Sequence, residues 1–278
     1  MRIAITADDT CDLPQELIQK NNIILSYIPN ILGEEEYRGG LTSDMIYDYV
    51  EKTGELPQTA AASSYNYKEI FEKVLETHDA VIHFSLSSGI STSFNNAKKA
   101  ASELNNVYVI DTQSLSSGSG LLVLSACDKV KAGLPIEQIV EEVNQEAQRV
   151  QASFLISKLN YLKKGGRCSS VAAFGANLLG LKILIQVQDG KMNATKKYMG
   201  KIEGALSKYL KDITLECPPD MGRVFITSSS KMPGVREGFV EEVKALGFKE
   251  VYVSDAGSTI CSHCGPGTIG VLYMKKQG

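Results

Sequence analysis

The chain has no run of lysine or arginine, and its 29 basic residues stand against 32 acidic ones for a formal net charge of -3. That balance argues against nucleic acid or an anionic membrane surface as the main partner. No apolar run approaches the roughly 20 residues that a spanning helix needs, so no integral membrane segment is expected. The start, Met1-Arg2-Ile3-Ala4-Ile5-Thr6-Ala7-Asp8, enters a strand pattern at once and reaches an acid within eight residues. It reads as neither a signal peptide nor a transit sequence, and a soluble, cytoplasmic protein is expected. The six cysteines, with no secretory signal ahead of them, are expected mostly as reduced thiols.

Several catalytic signatures are missing as well. There is no Gly-x-Ser-x-Gly elbow and no Gly-x-x-x-x-Gly-Lys-Ser/Thr phosphate loop. Gly118-Ser119-Gly120 is only part of a dinucleotide fingerprint, with no third glycine in place, and tight packing of helix on strand accounts for those glycines. Cys261 and Cys264 flank His263, but a structural zinc needs four ligands and no second Cys/His pair exists. A redox pair belongs near the first strand and helix of a thioredoxin-like unit, not before the last strand. No metal and no cofactor are expected.

What is present is a chain of 278 residues, 43% apolar, long enough for one large or two ordinary domains. Through about residue 150, strand patterns alternate with helical ones: strands at 2–7, 23–29, 80–84 and 107–111, helices at 15–20, 44–52, 67–77, 94–104, 121–131 and 136–150. Such alternation implies a parallel sheet with helices on both faces. Beyond residue 150 the texture changes to strands at 152–156, 181–187, 191–197, 223–227, 251–253 and 268–274, with helices at 158–167, 171–179, 202–215 and 235–246. Asp189-Gly190 between two strand-like runs is a strong hairpin signal. The fold class expected is α/β in two domains, a three-layer α/β/α domain with a parallel sheet at 1–150 followed by a two-layer α/β domain with a mixed sheet at 151–278.

Chemistry-bearing residues gather at a few junctions. Ser87-Ser88-Gly89-Ile90-Ser91-Thr92-Ser93 lies between a buried strand and a helix start, where unpaired N–H groups and the helix dipole suit a carboxylate or phosphate. Asp8-Asp9-Thr10-Cys11-Asp12-Leu13-Pro14 reads either as a ligand-facing turn or as plain helix capping, by Asp12 in particular. In Pro57 to Ser64, small residues would allow close approach of a ligand and Thr59 and Ser63 offer hydroxyls, although an ordinary capped loop also explains the run. Arg167, beyond a glycine pair, is either an anion fork or a solvated side chain. His263, in a glycine- and proline-containing loop, is a ready donor to an anion. His78 and His83 are expected in structural roles.

Five of these pieces occur in one order: Asp8-x-Thr10-Cys11-Asp12-Leu13-Pro14, the Ser-Ser-Gly-Ile-Ser turn, Asp111 with the Ser/Gly turn after it, Leu162-Lys163-Lys164-Gly165-Gly166-Arg167, and His263-Cys264-Gly265-Pro266-Gly267. In that order they resemble the DegV family of bacterial fatty-acid-binding proteins over essentially the whole chain. The resemblance implies one long-chain fatty acid, such as palmitate, stearate or oleate, buried mainly in the second domain with its carboxylate near the domain interface. It also implies an acyl-carrying subunit of a fatty acid kinase. A separate ATP-binding kinase subunit would phosphorylate the presented carboxylate to acyl phosphate for phospholipid synthesis, so this chain would not be an enzyme alone. By position, Thr59 and Ser91 are similar to the family's carboxylate ligands, and Arg167 and His263 match residues near the same end of the pocket. The chain departs from the family's pattern at Ala60-Ala61-Ala62, at Thr92-Ser93, at Asp9 where a serine is usual, and at Ile183 where a proline commonly stands.

The energetics of a lipid ligand can be argued independently. Burying about fifteen methylenes at ~0.8 kcal/mol each contributes on the order of 12 kcal/mol before ordering costs. Polar contacts then serve to orient the head group. The apolar runs 154–156, 171–187 and 269–274 could line such a tunnel, and each is equally explained as ordinary core. Two other functions compete: a lipid carrier or sensor with no kinase partner, and a self-sufficient hydrolase or phosphotransferase with Ser91 as nucleophile and His263 as base.

Overall fold

The computed structural model describes residues 1–170 and 180–277. The helix expected at 171–179 lies outside them. A four-stranded parallel sheet has the order β2-β1-β6-β7, formed by β1 (Ile3–Asp8), β2 (Ile24–Ser26), β6 (Ala80–Ser85) and β7 (Val107–Asp111). A six-stranded mixed sheet runs β10-β9-β8-β13-β11-β12. Its strands are β8 (Val150–Ile156), β9 (Leu181–Gln188), β10 (Lys191–Met199), β11 (Pro219–Ser228), β12 (Glu250–Asp255) and β13 (Ile269–Lys275). Only β11 and β12 are parallel in it. The expected α/β class, with a parallel sheet and a separate mixed sheet, is therefore what the chain adopts. Asp189 and Gly190 both have positive φ, as the tight β9–β10 turn requires.

The parallel sheet is covered on both faces. On one, α3 (Ser64–Leu75) and α4 (Ser93–Ala101) bury Tyr67, Phe71, Ala97 and Ala100 against Ala4 and Val81. The start of α3 has a local cause: Ser63 Oγ accepts from the Asn66 N–H while the Asn66 side chain accepts from the Ser63 N–H. On the other face lie α5 (Ser117–Lys131) and α6 (Ile136–Ala147). Helix α6 is amphipathic and buries Ile136, Ile139 and Val143, spaced as one helical stripe.

Helix α5 is apolar nearly all round because two sheets sandwich it. Its core neighbours include Ile5 and Ile82 of the parallel sheet and Ala152, Phe225 and Leu272 of the mixed sheet. The second face of the mixed sheet is covered by α8 (Ile202–Glu216) and α9 (Val235–Lys244), whose Tyr209, Ile213, Phe239 and Val243 are buried. The glycines of Gly118-Ser119-Gly120 serve this sandwich. A Cβ on Gly120 would lie 2.8 Å from the Cys11 carbonyl oxygen and 2.7 Å from Leu13 Cδ2. Gly120→Val is expected to lower the unfolding free energy by about 2–3 kcal/mol, read as a fall in the urea midpoint at constant m-value.

Two features were not expected from the sequence. The acidic, glycine-containing segment 30–40, which the sequence leaves as a hairpin or a loop, forms a hairpin, β3 (Asn30–Leu32) and β4 (Glu35–Tyr37), and β5 (Gln58–Thr59) joins it to make a small third sheet. The stretch around His263 is not a loop. Ser258–Cys264 is a short helix, α10, because distant side chains hold its first turn, as described next.

Candidate functional site

Strand β6 ends at Ser85, and the hydroxyl-rich turn that follows divides its groups between structure and cavity. Ser87 Oγ donates to the Gly190 carbonyl of the β9–β10 hairpin at 2.7 Å. Gly89 packs so closely there that a Cβ would sit 2.5 Å from the Gly190 oxygen. Ser88 donates through both N–H and Oγ to the Asp111 carboxylate. Ser91 remains at the start of α4, its Oγ accepting from the Ser93 N–H and lying 2.9 Å from Ser93 Oγ. With Ile90, it faces a cavity.

That cavity brings together Thr59, Ser91, Arg167 and His263, four residues up to 204 positions apart in the chain. Thr59 is on β5, paired with Asn30 of β3. Its Oγ1 lies 2.8 Å from His263 Nε2. Arg167 follows Gly166, whose left-handed φ of 67° ends α7 (Leu159–Gly165). Arg167 is exposed, with a guanidinium nitrogen donating to the Gly165 carbonyl at 2.6 Å. Gly165 has no side chain because His263 occupies the space: a Cβ there would collide with Nδ1.

The local sequence of α10 has no capping side chain, so its position comes from elsewhere. The Gly257 N–H donates to Asp12 Oδ1 at 2.9 Å, and the other oxygen of Asp12 accepts from Ser116 Oγ at 2.5 Å. Buried Asn30 places Nδ2 within 2.9 Å of Thr259 Oγ1 and 3.1 Å of Ser258 Oγ, and accepts from Ser262 Oγ at 3.2 Å. Tyr47 of α2 (Ser43–Thr53) packs edge-on against Tyr161 and donates to the Ser229 carbonyl. Asp12 thus caps neither end of α1 (Gln15–Lys20); it ties the first helix turn of α10 to the turn before α5. Asp8 is likewise an internal acceptor, for Tyr67 Oη, Ser85 Oγ and the Leu86 N–H. The acidic turn is a buried framework. Asp12 and Asn30 are the site-positioning residues that sequence reasoning missed, since nothing near them in the chain points to their partners.

Burial sets the electrostatics. Desolvation, aided by the Arg167 charge, pushes the His263 imidazole down to about 4. At neutral pH the ring is uncharged, so it contributes one N–H donor and one acceptor. Its Nδ1 has no partner among the described residues, and its Nε2 faces Thr59. Burial pushes Asp9 and Asp12 up to about 7. It raises the Cys261 thiol to about 12 and the Cys264 thiol further, so neither is a thiolate nucleophile. Among the described residues no group of His, Cys, Asp and Glu could hold a metal ion.

Three spaces adjoin. The cavity at Thr59 and Ser91 holds about 40 Å³ between apolar walls that include Ile28, Leu86, Leu115, Met192 and Ile260. A deeper one of about 20 Å³ shares Leu115, Ile260 and Cys264 with it and reaches Phe154, Gly270 and Leu272. Outward, a polar basin of about 240 Å³ shares Thr59, Arg167 and His263 and adds Gln58, Lys164 and Ser262. Polar groups therefore stand at one end of an apolar passage, with the basin beyond them. Of the runs considered as tunnel lining, Phe154 and Leu272 do face the deeper space, Ile156, Ile183 and Ile185 belong to the adjoining core, and 171–179 lie outside the described residues.

The chain was also compared with known proteins. A family model described as "Uncharacterised protein, DegV family" matches residues 2–276. Protein DegV of Bacillus subtilis is 29% identical over 288 residues, covering 99% of this chain and 100% of that one. A protein of Thermotoga maritima described as a fatty acid-binding protein is 28% identical over 280 residues, with 97% and 96% covered. Among solved structures, a DegV family protein from Thermus thermophilus, described by its fatty acid binding, superimposes with a TM-score of 0.92 at 28% identity, over 99% of this chain and 100% of that one. The fatty acid binding protein DegV of Bacillus subtilis gives 0.86 at 27%, over 99% and 100%.

Proposed function

The chain belongs to the DegV family, and from that premise we propose that it binds one long-chain fatty acid and presents the carboxylate to a separate ATP-dependent kinase. One observation carries the reading: Thr59, Arg167 and His263 are wall both to the apolar passage and to the polar basin outside it. A carboxylate held there has its alkyl chain directed inward and its oxygens directed toward solvent. The 1–150 and 151–278 units would meet around it, as ligand sites at domain interfaces do.

The roles of the side chains follow from their chemistry. With the neutral His263 proton on Nε2, the ring donates to Thr59 Oγ1, 2.8 Å away, and the threonine hydroxyl proton is free for one carboxylate oxygen. Ser91, at the positive end of α4, donates to the other. Arg167 stands on the solvent side and meets the partner or its phosphates. The carboxylate oxygen would then attack the γ-phosphorus of ATP held by the partner, with ADP leaving. Seating the chain moves the walls at Leu115, Ile260 and Cys264 apart, at a cost that the burial of methylenes offsets.

The hydrolase reading finds no support in the geometry. Ser91 Oγ is bonded to Ser93, and His263 Nε2 to Thr59, so no nucleophile–base pair is formed between Ser91 and His263. A carrier that meets no kinase differs from the proposal only in what reaches the basin.

Native mass spectrometry of protein purified from a bacterial host is expected to give one fatty acid per chain. An apo mass that takes up no added palmitate or oleate would overturn the proposal. Thr59→Ala and Ser91→Ala are expected to weaken fatty acid binding by roughly ten- to a hundredfold, one hydrogen bond to a carboxylate each. Both should lower acyl phosphate formation with the partner kinase by more than that. Equal losses in the two measurements would remove the presenting role.

A further inference from the structure

A second cleft shares no wall residue with the acyl passage or its basin. It forms where the mixed sheet opens. Strands β8 and β9 pair from Ile156↔Ile183 to Ser153↔Gln186 and then part, although β8 continues to Val150 and β9 to Gln188. Each keeps its other neighbour: Gln151 stays paired with Tyr273 and Gln188 with Lys191. The diverging edges enclose about 360 Å³, within the size range of small-molecule sites.

The walls are unusually rich in amides, with five glutamines. Gln151, 5% exposed, donates through Nε2 to Ser153 Oγ, and its Oε1 is buried with no partner among the described residues. A buried acceptor with no partner in the chain takes its donor from a water or a ligand. Gln186, 6% exposed, donates to Glu216 Oε1 at 3.3 Å, and Gln148 donates to Gln113 Oε1 at 3.0 Å. Glu216 and Lys275 line the same cleft, and neither is in a salt bridge, with each other or with any other described residue. One anion and one cation, unpaired in a cleft that amides also line, match a ligand that carries both charges. A phosphate would meet Glu216 as a like charge, and a purely apolar ligand would strand the amides.

We propose that this cleft binds a free α-amino acid, with its carboxylate on Lys275 and its ammonium between Glu216 and Gln151 Oε1. The glutamine side chains read the ligand's remaining donors and acceptors. The cleft also includes Asp189 and Gly190, and Gly190 accepts from Ser87 in the turn that leads to Ser91.

The test is isothermal titration of the full-length protein with each of the common free amino acids in turn, up to millimolar concentration. At least one is expected to bind saturably. Its carboxamide and its N-acetyl derivative, each lacking one charge, are expected to bind at least about tenfold more weakly, and Glu216→Gln and Lys275→Gln should each cost a similar factor. Both side chains stand at the cleft's rim rather than in a core, so the variants keep the fold. Saturable binding by none of the amino acids overturns the proposal. So does binding that both substitutions leave unchanged. Fatty acid content is read on the same samples, which separates failure here from failure of the acyl site.

Discussion

Gly165→Val is expected to reduce acyl phosphate formation with the proposed partner kinase by about a hundredfold, the scale of loss when a positioning group is displaced by about an ångström. The added side chain would occupy the place of His263 Nδ1, and the ring can yield only by leaving Thr59. With Thr59 no longer held, the carboxylate of the proposed ligand would lose its orientation while its alkyl chain would keep most of its burial. Fatty acid content should therefore stay near one per chain. A proton NMR titration gives a reading independent of the kinase: His263, pushed down to about 4 in the intact site, should move back toward the ordinary value of 6.5 as its ring is displaced toward water. Acyl phosphate formation within about threefold of wild type would show that the Thr59–His263 pair plays no part.

Asp12→Asn is expected to change how stability depends on pH by a few kcal/mol. Burial pushes Asp12 from 3.8 in the unfolded chain up to about 7 in the folded one. Between those values the folded protein holds a proton that the unfolded chain has released, so unfolding free energy falls as pH rises. The contribution is fully present below about 3.8 and is lost as pH passes through about 7. Asparagine carries no such proton. The difference in unfolding free energy, variant minus wild type, should therefore climb between pH 4 and pH 8 by a few kcal/mol, at about 1.36 kcal/mol per pH unit between the two values. Urea midpoints across that range measure it. A difference that stays flat would mean that Asp12 titrates normally and that its bonds to Ser116 and Gly257 hold an ordinary carboxylate.

Both experiments act on His263 through groups far from it in the chain, and this explains which parts of the site were legible. Ser91 was readable as an anion-facing group because a buried strand, a hydroxyl-rich turn and a helix start are consecutive in sequence. The Asp189-Gly190 hairpin is readable for the same reason, whereas the cap of α3 is narrowed only to Ser63 or Ser64, and the structure selects Ser63. The sequence marks His263 as a candidate but places it in a loop. Its helix is specified by the Asp12 carboxylate and the Asn30 amide, more than two hundred residues away. Thr59 was read as a loop residue because β5 has two residues and no period of its own.

The amino-acid sequence by itself determined the α/β class, the parallel sheet followed by a mixed one, and the membership that points to a fatty acid. These rest on short-range periodicity, turn chemistry and motifs in order, all of which are written locally. The tertiary structure alone decided that α5 is shared between the two sheets and that Asp8 and Asp12 face inward as framework. It also decided that Thr59 bonds His263 and that β8 and β9 part to open a second, amide-lined cleft. Each is a pairing of groups distant in the chain. Burial and hydrogen-bond satisfaction select such pairings only once the whole chain is packed.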